Sequence, residues 1–351
     1  MPFITDRYHD QNRNRQPAAP AAAPASSAPD TPDTPAALAE RLRSRVLGQD
    51  PAVDAVVRAI TLARAGATEP DRPPATVLLL GPTGVGKTEL VRQVAAALRS
   101  GPDDLCRVDM NSLAQEHYAA SFNGAPPGYA GSKEAFTVFD RSTVEGDPYT
   151  PGIVLFDEVE KAHPTVLRAL LGVLDNGMLR LANGQEKISF RNSFVFLTSN
   201  LGSKELARRR GSRWRALLDR SRTRRAVVDK ALQSFFDPEF LNRIDETVIF
   251  DELDRTTIEQ VARLETDLLR ARLRRRGVDL QVEESAVRRL AEQGFDPVYG
   301  ARGLRRTLRT HLAAPVAAEI MRVRPTGTAP LRITATATSG AIRATATDPE
   351  S

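Results

Sequence analysis

GPTGVGKT, Gly81 to Thr88, is the stretch from which the rest of this chain is read. Its spacing is G-x-x-x-x-G-K-[ST], and it lies between an apolar run, TVLLL (76 to 80), and a segment with helical periodicity. The chemistry requires that placement. Glycines let the backbone curl so that N–H groups from about Gly84 to Thr88 point at phosphate oxygens, aided by the positive end of the following helix. Lys87 brings a charge to the outer phosphates, and Thr88 offers a hydroxyl to magnesium. Gly81, Pro82, Thr83, Gly84, Val85 and Gly86 complete the candidate phosphate site.

Further along, GIVLFDEVEKAHP (152 to 164) carries a second apolar run that ends in two carboxylates. Asp157 can hold magnesium, directly or through water, and Glu158 is placed to orient and deprotonate an attacking water. CRVDM (106 to 110), SFVFLTS (193 to 199) and TVIF (247 to 250) are three more short apolar runs, separated by helical patterns. Runs of this kind suit strands covered on both faces, so a parallel sheet flanked by helices is predicted. Ligands in such sheets sit at the carboxyl edge, where Gly81, the acidic pair and Ser199-Asn200 would all emerge. Hydrolysis of a nucleoside triphosphate is the reaction class this permits.

Before that core, Thr34 and Pro35 read as an N-cap and first-turn pair opening a helix to about Val46, and Asp50 with Pro51 repeats the device. Residues 1 to 33 are rich in proline, alanine and serine and too poor in large apolar groups to order themselves, so a flexible tail is expected. After Asp251 the strands are expected to stop. Amphipathic helices run from Thr256 to about Val323, and LRITATATSGAIRATAT (331 to 347) has the period and turn of a closing hairpin. Three regions follow: a tail (1–33), an α/β domain (34–250) and a smaller helical domain (251–351).

Apolar content of 41% and charged content of 26% are ordinary for a soluble protein. The N-terminus has no apolar segment of the kind a signal peptide needs, and no run approaches the length of a membrane span. A cytoplasmic protein without membrane contact is expected. Cys106, the single cysteine, reads as a core thiol. The net charge of +5 is exceeded by one segment, Lys204 to Arg225, with ten basic residues against two acidic ones. That segment is open to two readings, a solvated helical face or a contact for nucleic acid or another acidic partner.

The chain resembles the AAA+ ATPases of the Clp type, and most of all the second ATPase module of ClpA, ClpB and ClpC. The resemblance runs from about Arg45 to Val323 through RVLGQDPAV, GPTGVGKTEL, GAPPGYAG, VLFDEVEKAHP, FRNSFVFLTSNLGS, FDPEFLNRIDE and GFDPVYGARGLRR. It implies ATP and Mg2+ as cofactors, a homo-oligomeric ring, most simply a hexamer, and unfolded or misfolded polypeptide as substrate. Val46 and Leu47 would line the adenine pocket. Asn200 would be the first sensor, and Arg302 the second sensor on the small domain. Arg243 matches the arginine finger that completes a neighbour's site. Tyr129, in Gly128-Tyr129-Ala130-Gly131, matches the aromatic that lines the axial channel and grips an extended chain; read from the residues, it is a large aromatic at the tip of a glycine- and proline-rich loop.

The sequence also departs from that family. Alanine replaces the usual valine after Tyr129, and SKEA follows where an aromatic and paired glutamates are usual. The Ile-Gly-Phe or Ile-Gly-Leu tripeptide that docks such ATPases on the ClpP peptidase is absent from the sequence. A ClpP partner is therefore not expected.

Overall fold

The computed structural model describes residues 34–115, 122, 138–147, 149–181, 186–203, 220–295, 301–323, 330–338 and 340–347. The tail 1–33, the loop 124–131 with Tyr129, and most of the basic segment (204–219) lie outside the described residues.

Five strands form one sheet: β1 (Ala75–Leu80), β2 (Cys106–Asp109), β3 (Gly152–Asp157), β6 (Ser193–Ser199) and β7 (Glu246–Ile249). Their order is β2-β3-β6-β1-β7, and every pairing is parallel. The apolar runs explain why the three central strands take the middle. Each residue of β1, β3 and β6 is buried, and successive side chains go to opposite faces. Leu78, Leu80, Val154, Phe156, Val195 and Leu197 belong to one core. Val77, Leu79, Ile153, Leu155, Phe194 and Phe196 belong to the other. Burial of one such leucine is worth roughly 2 kcal/mol, so this alternation fixes the register of the sheet.

Helices cover both faces. Thr34 caps the helix Pro35–Arg43 as expected, its side chain accepting from the amide of Ala37. That helix stops at Arg43 rather than Val46, and a turn then carries Val46 into the second core. Asp50 is not the cap of the next helix. The helix Asp50–Arg64 starts from Gln49, which makes no capping bond because its amide is engaged elsewhere. A small hairpin of β4 (Met178–Arg180) and β5 (Lys187–Ser189) adds a second sheet that the sequence reading did not contain.

Beyond Asp251, helices Arg255–Arg274, Glu284–Gly294, Arg302–Leu308 and Ala314–Val323 pack around a third core. The strands do not stop there, contrary to the expectation. β8 (Val278–Val282) lies between the first two of these helices and pairs parallel with β9 (Leu331–Ala337), which pairs antiparallel with β10 (Ile342–Thr347). The closing hairpin is thus part of a three-stranded sheet. VDLQV does alternate, with Val278 and Leu280 buried, but its partner strand comes some fifty residues later and gives no local sign.

Among the described residues, no helix is long and apolar enough to cross a membrane.

Candidate active site

Where β1 ends, Gly81 turns with φ of 144°, and a Cβ there would come within 2.9 Å of Phe250. Only glycine suits that position. Gly86 adopts a left-handed conformation immediately before the helix Lys87–Leu98, which aims the first amides of that helix back into the loop. Lys87 is buried, and its ammonium donates to the carbonyls of Gly81 at 2.5 Å and Pro82 at 2.8 Å and to Oδ1 of Asn200 at 2.8 Å. A phosphate oxygen would compete for these same donors.

β3 and β6 bring the acids and the amide to the same edge. Thr198, fully buried on β6, donates its hydroxyl to Asp157 Oδ1 at 2.5 Å and accepts the backbone N–H of Glu158 at 2.9 Å. One hydroxyl therefore fixes both members of the acidic pair. Asn200 donates Nδ2 to Glu158 Oε1 at 3.3 Å, and its backbone N–H to Glu160 Oε1 at 3.1 Å. Arg107, from β2, donates Nη2 to the second oxygen of Asp157 at 2.5 Å. Among the described residues, Glu158 is the one residue other than glycine with positive φ, at 59°. The left-handed region is unfavourable for a side chain, and it is held here at the second acid of the pair.

These groups line a cleft of about 450 Å³, within the range of small-ligand pockets. Its polar lining includes Lys87, Thr88, Asp157, Glu158 and Asn200, and its apolar lining includes Val46, Leu47, Val261, Leu264 and Leu268. A polar, charged lining beside apolar side chains complements a nucleoside triphosphate, which joins a charged phosphate chain to a flat base. The helical region forms the far wall. The amide of Ala301 donates to the carbonyl of Gly84 at 3.1 Å, and Arg305 bridges Glu265 at 2.7 Å and Glu89 at 3.2 Å. Burial works against the Arg305 charge, but Glu265 and Glu89 more than offset it and raise its pKa above the usual arginine value. Arg302 begins the helix Arg302–Leu308; its side chain lies outside the described part.

Gln49 ties the start of the helix Asp50–Arg64 to the chain just after β7. It is 2% exposed, its Nε2 donates to the carbonyl of Asp251 at 2.8 Å, and its Oε1 accepts the Asp251 N–H at 3.0 Å. Replacing Gln49 by alanine leaves both backbone groups of Asp251 without these bonds, and a loss of about 2 kcal/mol in urea denaturation is expected. A loss below about 0.5 kcal/mol would mean that water replaces the amide at no penalty.

Arg243 is elsewhere. It follows the helix Pro238–Leu241, and two residues on, the Asp245 amide donates to the carbonyl of Thr76 near the start of β1. From Thr76 to Gly81 is five residues of strand, roughly 16 Å, so Arg243 stands at the amino edge, away from its own phosphate loop. Its Nε lies 2.6 Å from Asp175 Oδ1, a charge contact at the end of the helix Pro164–Asn176.

Two family models cover the sheet region and the helical region in turn. Residues 72–247 match the family described as AAA domain (Cdc48 subfamily), and residues 253–329 match the C-terminal, D2-small domain of ClpB protein. The chain is an AAA+ ATPase of the Clp type. This Clp-type chain is 64% identical over 348 residues to an "ATP-dependent protease ATP-binding subunit-like protein" of Rhodococcus erythropolis, covering 98% of this chain and 99% of that one. It is 45% identical to the Pseudomonas aeruginosa protein of similar description, AmiB, over 82% of this chain and 79% of that one. It is also 41% identical to the chaperone ClpB of Meiothermus ruber over 81% of its length, which is 32% of that relative. A solved structure of Hsp104 with ATPγS and FITC casein superposes with a TM-score of 0.74 at 31% identity, over 89% of this chain and 51% of that one. As an AAA+ ATPase the protein binds and hydrolyses nucleotide.

The sequence reading missed Thr198, Arg107, Glu160 and Gln49 as parts of the site. Thr198 sits in an apolar run, and a polar residue at the carboxyl end of such a run is its available signal. Arg107 alternates with buried Cys106 and Val108 on an outer strand, and that alternation was its signal.

Proposed function

We propose that this protein is an ATP-driven remodeller that assembles into a ring, most simply a hexamer, and draws polypeptide through a central channel. Lys87 and the amides of Gly84 to Thr88 hold the phosphates, Val46 and Leu47 flank the base, and Arg302 takes the part of the second sensor. Glu158, oriented by Asn200, takes the proton of the attacking water. Thr88 and Asp157 present the hard oxygen donors that magnesium prefers, and they line one cleft. When bound, the ion would neutralise charge developing on the phosphates.

The observation that carries the ring is the position of Arg243. A guanidinium at the amino edge, roughly 16 Å of strand away from its own phosphate loop, can serve a phosphate only on another subunit. The boundary near residue 250 fits this reading, since the third core draws its buried side chains from Ile258 onward. The ClpB and Hsp104 relatives support polypeptide as the substrate, and the missing docking tripeptide supports action without ClpP.

Tyr129 tests the channel. With Tyr129→Ala, ATP turnover is expected to persist while unfolding of a tagged fluorescent substrate is lost. Unfolding at the unmodified rate would remove the channel grip from the reading, and sedimentation with and without ATP separately tests the ring.

A further inference from the structure

We propose that Arg107 is a displaceable counter-charge that keeps metal off Asp157 until a triphosphate arrives, so that ion and nucleotide enter together. This rests on the reading above that Asp157 takes magnesium. The carboxylate is fixed and its partner is not. Asp157 is 8% exposed, with Oδ1 held by Thr198 and Oδ2 by Arg107. The Arg107 side chain is 53% exposed, on an outer strand whose packing comes from Cys106 and Val108, so it can swing without disturbing the core.

A guanidinium and a divalent cation repel each other when they share one carboxylate, and arginine cannot relieve this by losing its proton. Free metal therefore meets an occupied site. A nucleotide changes the balance, because its phosphates bring ligands for the ion and a new acceptor for the arginine. Arg107 lines the same cleft as Lys87 and Thr88, and its planar donors suit phosphate oxygens. The other arginines of that cleft with described partners are tied down away from the acidic pair. Arg92 bridges Glu89 at 3.5 Å and Asp103 at 2.7 Å, and Arg305 bridges Glu265 and Glu89.

Manganese binding followed by electron paramagnetic resonance tests this on the full-length protein. The unmodified protein, Arg107→Met and Arg107→Lys are compared, each with and without a non-hydrolysable ATP analogue. Without nucleotide, Arg107→Met is expected to bind manganese about tenfold more tightly than the unmodified protein, with Arg107→Lys close to unmodified. Adding Asp157→Asn should erase that gain. If the unmodified protein binds manganese with the analogue but Arg107→Met shows no gain without it, the counter-charge role is wrong. If the unmodified protein binds no manganese even with the analogue, the magnesium reading fails and this inference with it. Melting curves confirm folding, and Arg107→Gln replaces the methionine variant if that one is unfolded.

Discussion

Replacing Arg243 by alanine is expected to lower ATP turnover by roughly a thousandfold while leaving nucleotide binding intact. Its own phosphate loop and acidic pair lie at the carboxyl edge of the sheet, and Arg243 lies at the other. A side chain that never reaches its own nucleotide cannot change its affinity directly, yet it can supply the charge that stabilises the transition state next door. Asp175 holds the guanidinium in the free subunit, and an incoming phosphate would have to draw it away from that contact. Mixing decides the matter. Arg243→Ala subunits combined with Glu158→Gln subunits should regain turnover, because each intact base can then face an intact arginine. No recovery at any mixing ratio would show that Arg243 acts within its own subunit or only on the fold.

Glu158→Gln is expected to abolish hydrolysis, by roughly a thousandfold, while ATP remains bound. Asn200 Nδ2 and Thr198 place the carboxylate and its backbone, and the glutamine keeps the shape without the base. Phosphate release at the unmodified rate would remove Glu158 from that role. A second substitution at this position separates chemistry from backbone strain. Glu158→Gly should be equally inactive yet more stable to urea by about 1 kcal/mol, because glycine occupies the left-handed region without the Cβ penalty. A fall in stability would mean that the side chain contributes more to folding than its conformation costs.

The parts of this site legible from the sequence share one property, that local chemistry requires them. A backbone that turns with φ of 144° against Phe250 needs glycine, and a strand buried on both faces needs a continuous apolar run. The phosphate loop, the acidic pair and the strands carrying them could be read for that reason. Where local rules compete, the reading failed. Asp50 and Pro51 have the residues of a helix cap, but Gln49 occupies the cap because its amide is held by Asp251, 202 positions away in the chain. β8 was missed because a five-residue alternation becomes a strand only when β9 pairs with it.

By itself, then, the sequence determined the glycine-rich loop, the acidic pair and the parallel sheet that delivers them to one edge, since each follows from what a short stretch of backbone can adopt and bury. Tertiary structure decided which groups act on those residues. Thr198 reaches both acids across 41 and 40 positions, Arg107 reaches Asp157 across 50, and Arg305 closes on Glu89 across 216. Such contacts depend on how the strands are ordered and how the helical wall folds back over the loop, and no local pattern of residues encodes that order.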